Sequence, residues 1–210
     1  MPRHIYFDLD GTLTDPFEGI TKSIAYALET LAAPIPDDEA FRSLIGPPLQ
    51  QTFVELVGEQ NADRALTLYR ERFADIGWQE NLPYEGIHDA LEILQAAGHT
   101  LFVATTKPWI FAERIVEHFG MKPYFSRVYG SELDGTRVDK TELLAWALAR
   151  NAEHKSCIMV GDRSHDIVGG LNNEMDVLGV AYGYGSKEEL SAAGAAQIAG
   201  APHELPGMLN

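Results

Sequence analysis

Cysteine is nearly absent from this chain. Cys157 stands alone in 210 residues, so no intramolecular disulfide can staple the fold. Basic side chains are scarce too, 16 against 31 acidic ones, and the net charge is −15. A surface of that sign repels nucleic acid and anionic membrane, and any anionic substrate needs a local positive site. No apolar run approaches the roughly 18 residues of a membrane span. The opening Met1-Pro2-Arg3-His4 shows no signal-peptide pattern, and internal repeats and low-complexity tracts are missing. These absences predict a cytoplasmic globular protein, monomer or homodimer, with a small-molecule substrate and neither nucleic acid nor membrane as partner.

What is present is ordinary in bulk, 45% hydrophobic and 22% charged. A chain of this size buries roughly 70% of its unfolded surface without staples. Residues 3–8 read as a short buried strand. From Thr14 to about Leu82 the pattern is helical, with Ile20, Ile24, Ala27, Leu28 and Leu31 on one face. Phe53, Leu56 and Val57 form a second helical pattern, and Leu66, Tyr69, Phe73 and Ile76 a third. Such a block is too long for a simple crossover between strands. It reads as an inserted helical cap, residues 16–82, hinged near Asp15-Pro16 and Leu82-Pro83.

Beyond it, helix and strand alternate. Strand signals fall at residues 100–105, 126–129, 157–160 and 177–181, and helix faces at Ile87, Leu91 and Leu94, at Phe111, Ile115 and Phe119, and at Leu143, Leu144, Ala147 and Leu148. Gly98 and Gly120 stand where helices end, and Ser186-Lys187-Glu188-Glu189 reads as a capping box. The alternation predicts an α/β fold, a doubly wound parallel sheet formed by residues 1–15 and 83–210.

Chemistry gathers at the strand ends. Asp8, Asp10 and Asp15 lie within eight positions, directly after Ile5-Tyr6-Phe7. In open parallel sheets ligands bind at the carboxyl ends of the strands, and alternation sends Asp8 and Asp10 to one side. Thr105, Thr106 and Lys107 close the second strand; Lys140 enters a helix; Gly161-Asp162-Arg163-Ser164-His165-Asp166 closes the fourth strand. Converging carboxylates repel one another unless a hard cation joins them, and oxygen donors favour Mg²⁺ over zinc. A lysine and a hydroxyl then suit the oxygens of a phosphoryl group, whose transfer asks mainly for positioning and charge neutralisation. Lys107 and Lys122 also follow strand ends, with Lys140 preferred; Asp166 could instead serve as a first-turn helix acid. His165 reads as structural or supporting, since no histidine spacing such as HExxH is present. The C-x5-R spacing of Cys157 and Arg163 is set aside, because the residues between them form a strand rather than a phosphate-cradling turn.

On these residues the chain resembles the haloacid dehalogenase superfamily, in its phosphatase branch. Asp8-Leu9-Asp10-Gly11-Thr12 is similar to that family's first motif, Thr105 to its second, Lys140 to its third, and Gly161-Asp162 through Asp166 to its fourth. The resemblance implies a Rossmann-like core with a helical cap. It implies Asp8 as nucleophile and Asp10 as acid/base, with Thr105 and Lys140 on the phosphoryl group; Thr106 and Lys107 beside them are further substrate-binding candidates, Lys107 reading equally as a surface residue. Magnesium would be held by Asp8, the carbonyl of Asp10, Asp162 and Asp166, the last direct or through water. Gly46 and Pro47 of Ile45-Gly46-Pro47-Pro48-Leu49 would meet the leaving group, unless that stretch only breaks a helix. This segment and Gly183-Tyr184-Gly185-Ser186 resemble phosphoglycolate-phosphatase-like and nucleotidase-like members. The implied activity is a Mg²⁺-dependent phosphomonoesterase, phosphoglycolate-phosphatase-like, acting through an aspartyl-phosphate. The alternatives are a nucleotide 5′-phosphatase, a sugar phosphomutase or, from another class, a receiver-like signalling domain. Receivers lack the helical insert and the Asp-x-Asp spacing. Asn172-Asn173-Glu174-Met175 departs from the small or glycine-containing turn usual there.

Overall fold

The computed structural model describes residues 1–151 and 156–210. They fall into two compact units, Pro16–Leu82 and Met1–Asp15 with Pro83–Asn210. The first is helical up to its last residues: α1 (Phe17–Thr30), α2 (Asp38–Ser43), α3 (Leu49–Val57) and α4 (Glu59–Arg72), followed by a π-turn at Phe73–Gly77; the short strands Thr14–Asp15 and Leu82–Pro83 pair with each other where the chain passes between the units. α1 buries Ile20, Ile24, Ala27 and Leu28, the expected face. The expected face of the third pattern is buried only in part: Tyr69 and Phe73 are buried, Leu66 is half-buried, and Ala62, Ala65 and Leu68 of α4 point inward instead. The wider π-turn shifts the helical phase, so Phe73 is buried and Ile76 is 46% exposed. Tyr69 and Phe73 stack with ring centroids 5.4 Å apart. Gly46 (φ 111°) and Pro47 sit in the turn between α2 and α3.

The second unit is built on six strands: β1 (His4–Phe7), β2 (Thr100–Pro108), β3 (Phe125–Ser131), β4 (Cys157–Gly161), β5 (Asp176–Val180) and β6 (Ile198–Ala199). Their order is β3-β2-β1-β4-β5-β6, with every pairing parallel. This is the doubly wound order, in which the chain reverses direction across the sheet between β1 and β4. Between and after the strands run α5 (Ile87–Ala96), α6 (Trp109–His118), α7 (Lys140–Leu148), α8 (Ser164–Asn172), α9 (Lys187–Ala192) and α10 (Leu205–Leu209). β1 is buried along its whole length, as a central parallel strand covered on both faces should be. On the α7 side of the sheet, Tyr6, Phe102, Tyr129 and Met159 pack with Leu143, Leu144 and Ala147. Tyr6 and Phe102 stack 4.7 Å apart.

Local chemistry accounts for the helix ends. Gly98 (φ 88°) and Gly120 (φ 68°) terminate α5 and α6 in the left-handed region, as their positions suggested. At the end of α8 that conformation falls to Glu174 (φ 56°), at a cost glycine would avoid. Only half of the capping box at α9 forms: the Glu189 N–H donates to Ser186 Oγ, but the Glu189 carboxylate faces the start of α8. The short β6 was not foreseen, because two residues carry no periodic signal.

Candidate active site

Register brings the candidate residues together. Phe7 lies opposite Val103 on one side and Val160 on the other. Asp8, Ala104 and Gly161 therefore follow at one level, where β1 and β4 end while β2 runs on to Pro108. Asp8 is buried, and its Oδ1 accepts from Lys140 Nζ at 3.0 Å. Lys140 also donates to the Ala104 carbonyl at 2.9 Å and lies 2.7 Å from Asp166 Oδ1. Its stem runs over Gly169, where a Cβ would come within 2.7 Å of Lys140 Cγ. Lys140 thus enters from the first turn of α7 as a buried cation between two buried acids. Lys122, the other alternative, pairs with Glu113 at the surface.

Burial alone would lower the Lys140 pKa, but Asp166 and Asp8 outweigh it and raise it, so the ammonium stays charged. Burial raises Asp8 above the usual carboxylate range, with Lys140 pulling against it. For Asp166 burial acts upward as well, yet Lys140 and His165 bring the net shift below the ordinary value. Asp162 is different. Burial first, then Asp166 and Asp8, push it well above the carboxylate range, opposed by the Tyr184 N–H that donates to its Oδ2 at 2.8 Å.

Asp10 sits at the rim, partly exposed. Its Oδ2 accepts from Lys107 Nζ, while its Oδ1 is a buried oxygen with no hydrogen-bond partner among the described residues. A bulge in β2 makes the lysine contact possible: Thr105 pairs with Gly130 and Pro108 with Ser131, leaving Thr106 and Lys107 unmatched. Ser131 Oγ donates to the Thr106 carbonyl at 2.7 Å, and the Lys107 N–H to Thr105 Oγ1 at 3.2 Å. Thr105 is buried beside Asp8's strand, whereas Thr106 is only half-buried.

The structure adds residues that motif spacing left unassigned. His165, read as structural from the sequence, presents a ring nitrogen to the site: ligand atoms of Asp8, His165 and Asp166 all lie within 4.8 Å of one another. Arg163 turns away and pairs with Glu189 at 3.0 Å. Three fully or nearly buried carboxylates, Asp8, Asp162 and Asp166, gather here, and the buried ammonium of Lys140 pairs with only two of them, Asp8 and Asp166, while Lys107 pairs with Asp10. That excess of negative charge, offered mainly through oxygens, fits a hard divalent cation. His165 is the one softer donor of the set.

Comparison with known proteins places this arrangement. Residues 5–180 match the family described as haloacid dehalogenase-like hydrolase. The chain belongs to that family. Among its relatives is a 5′-nucleotidase of Pseudomonas aeruginosa, 48% identical over 90% of this chain and 87% of the other. A phosphoglycolate phosphatase of Psychrobacter arcticus is 30% identical over 89% of this chain and 86% of its own length. A solved structure of a predicted phosphatase from Clostridium acetobutylicum superposes with a TM-score of 0.93, at 40% identity, covering 100% of this chain and 98% of that one.

The chain is thus a haloacid dehalogenase-like hydrolase, a phosphatase. Within this hydrolase the glycines around Asp162 show how tightly that side chain is held. A Cβ on Gly11 (φ 84°) would fall 2.2 Å from Asp162 Oδ2, and one on Gly183 2.6 Å from Asp162 Cβ. On Gly185 it would meet the Asp162 carbonyl at 1.9 Å, and on Gly161 the Asp166 carboxyl at 2.3 Å. Only residues without side chains fit at these four positions.

Proposed function

We propose that this phosphatase hydrolyses a small-molecule phosphomonoester through an aspartyl-phosphate on Asp8, with the helical unit 16–82 as its cap. Asp8 attacks phosphorus and the bond to the ester oxygen breaks. Asp10 gives its proton to that oxygen as the alcohol leaves. Water then attacks the phosphorus of the acyl phosphate, Asp10 takes its proton, and the departing phosphate restores the Asp8 carboxylate. The ion pair of Lys140 with Asp8 supports this reading most directly, because it favours the carboxylate form of the buried nucleophile against desolvation and leaves a cation beside the phosphoryl oxygens. The Thr105 hydroxyl and Lys107 are the further candidates for phosphoryl contact, and the partnerless Oδ1 of Asp10 is available to a leaving group. Bound Mg²⁺, for which Asp8, the Asp10 carbonyl, Asp162 and Asp166 are the proposed ligands, would neutralise the gathered carboxylates and phosphoryl oxygens.

Among substrates, nucleoside 5′-monophosphates come first, supported by the 5′-nucleotidase 48% identical to this chain; phosphoglycolate is the second reading, supported by the more distant relative. A phosphate-release panel containing both, with sugar phosphates, with and without Mg²⁺, is the test. The expected result is Mg²⁺-dependent release from one class, lost by at least a thousandfold in Asp8→Asn. Asp8→Asn turning over normally would overturn the mechanism, and isomerisation without net release would point to a phosphomutase.

A further inference from the structure

The segment after β5, Tyr182 to Gly185, has no part in the proposed chemistry, yet it touches both the Gly11–Asp15 stretch and Asp162. Tyr182 OH donates to the Thr12 carbonyl at 3.0 Å. The Tyr184 N–H donates to Asp162 Oδ2 at 2.8 Å. The Tyr184 hydroxyl, at the other end of the same residue, donates to Asp15 Oδ1. Gly183 and Gly185 lie against the Gly11 and Asp162 carbonyls, where a Cβ would come within 2.2 and 1.9 Å. Neither glycine can anchor the segment with a side chain, so its holds are the two tyrosines: Tyr182 on the Thr12 carbonyl and, on the residue whose N–H binds Asp162, Tyr184 on Asp15. Among the described residues the other side-chain bond to the Asp162 carboxylate, from Thr12 Oγ1, is long at 3.4 Å.

Asp15 is the residue at which the chain leaves the core unit for the helical one. We propose that Tyr184 is a positioning residue that makes the orientation of Asp162, and with it divalent-cation affinity, depend on Asp15. The proposal rests on the reading of Asp162 as a cation ligand. Through Tyr184 the crossing at Asp15–Pro16 and the cation pocket are linked, and the linkage is reciprocal: cation binding steadies Asp15 as much as Asp15 steadies the pocket. Partners that orient metal-binding groups commonly change affinity by 10–100-fold when removed.

The test is a Mn²⁺ titration of the full chain, with free Mn²⁺ read by its paramagnetic resonance signal. Wild type is compared with Tyr184→Phe, Asp15→Ala, the double variant and Asp162→Asn. Tyr184→Phe and Asp15→Ala should each weaken binding by about tenfold. The double variant should bind no worse than either, since both changes break one hydrogen bond. Thermal midpoints of the single variants should stay within a few degrees of wild type. Wild-type affinity in Tyr184→Phe, or an additive loss of about a hundredfold in the double variant, would overturn the proposal. Should Tyr184→Phe fail to fold, unchanged affinity in Asp15→Ala would overturn it equally. Loss of binding in Asp162→Asn with none in Tyr184→Phe sinks this inference alone; intact binding in Asp162→Asn sinks the cation reading beneath it.

Discussion

Replacing Lys140 by methionine removes the buried cation that lies between Asp8 and Asp166 while keeping a side chain of similar length. The ammonium lies 3.0 Å from Asp8 and 2.7 Å from Asp166. At an effective permittivity of about 20, each contact is an attraction of about 5–6 kcal/mol before desolvation. Burying the ions offsets much of that gain, at several kcal/mol per ion. What the substitution exposes is the orphaned partners, a penalty of about 3–5 kcal/mol. That is a large share of the roughly 5–15 kcal/mol by which domains are stable. The loss should also depend on pH in a definite direction. Without the ammonium, burial and mutual repulsion raise the folded-state pKa values of Asp8 and Asp166 above their unfolded values. Ionising such groups opposes folding, so the penalty is full at high pH and is relieved as pH falls through the raised values. Urea unfolding of wild type and Lys140→Met, at pH 8 and pH 5 with a chelator present, measures it. The deficit should reach several kcal/mol at pH 8 and shrink clearly at pH 5. A deficit below about 1 kcal/mol at pH 8, or one equal at both values, would refute the account of a buried cation holding two acids.

Three further changes probe separate features. Gly11→Ala combines a left-handed backbone with a Cβ 2.2 Å from the Asp162 carboxylate; it should cost about 2–5 kcal/mol in chemical denaturation and weaken Mn²⁺ binding. Glu174→Gly relieves the left-handed residue after α8 and should gain roughly 0.5–1 kcal/mol, read as a higher thermal midpoint, after allowing for glycine's greater unfolded entropy. Cys157→Ser should leave phosphate release unchanged. Cys157 pairs with His4 at the opposite end of the strands from Asp8, about 13 Å away at roughly 3.3 Å per residue over four residues. A large loss of turnover in the serine variant would reopen a role for the thiol.

The parallel sheet was legible because its central strands are short, wholly apolar and bounded by turn residues. Ile5-Tyr6-Phe7 and Ile158-Met159-Val160 can hardly be anything but buried strands when helices alternate with them. Where the reading of elements failed, a backbone event carried no sequence mark. The π-turn at Phe73–Gly77 breaks the helical phase after Phe73, so Tyr69 and Phe73 of the expected face are buried while Ile76 turns outward. The bulge that aims Lys107 at Asp10 is likewise written in no pattern, since Thr105-Thr106-Lys107 looks like the plain end of a strand.

The candidate site illustrates the same division between composition and geometry. Sequence order separates Asp8 from Lys140 by 132 positions, and only parallel register sets them 3.0 Å apart. Residue types sufficed to nominate the acids and the lysine, because buried carboxylates after apolar strands need a cation in any fold that contains them. Types could not assign partners. His165 lacked a recognisable spacing, yet helical geometry places it one residue before Asp166, in the first turn of α8, where its ring reaches the same carboxylates. Tyr184 was visible only as part of a glycine-flanked motif. Its importance follows from those glycines: where two backbones approach too closely for any Cβ, the neighbouring side chains, here Tyr182 and Tyr184, must hold the loop. A tyrosine flanked by glycines after a core strand is therefore a positional signal, readable in advance only once the carbonyls it lies against are known.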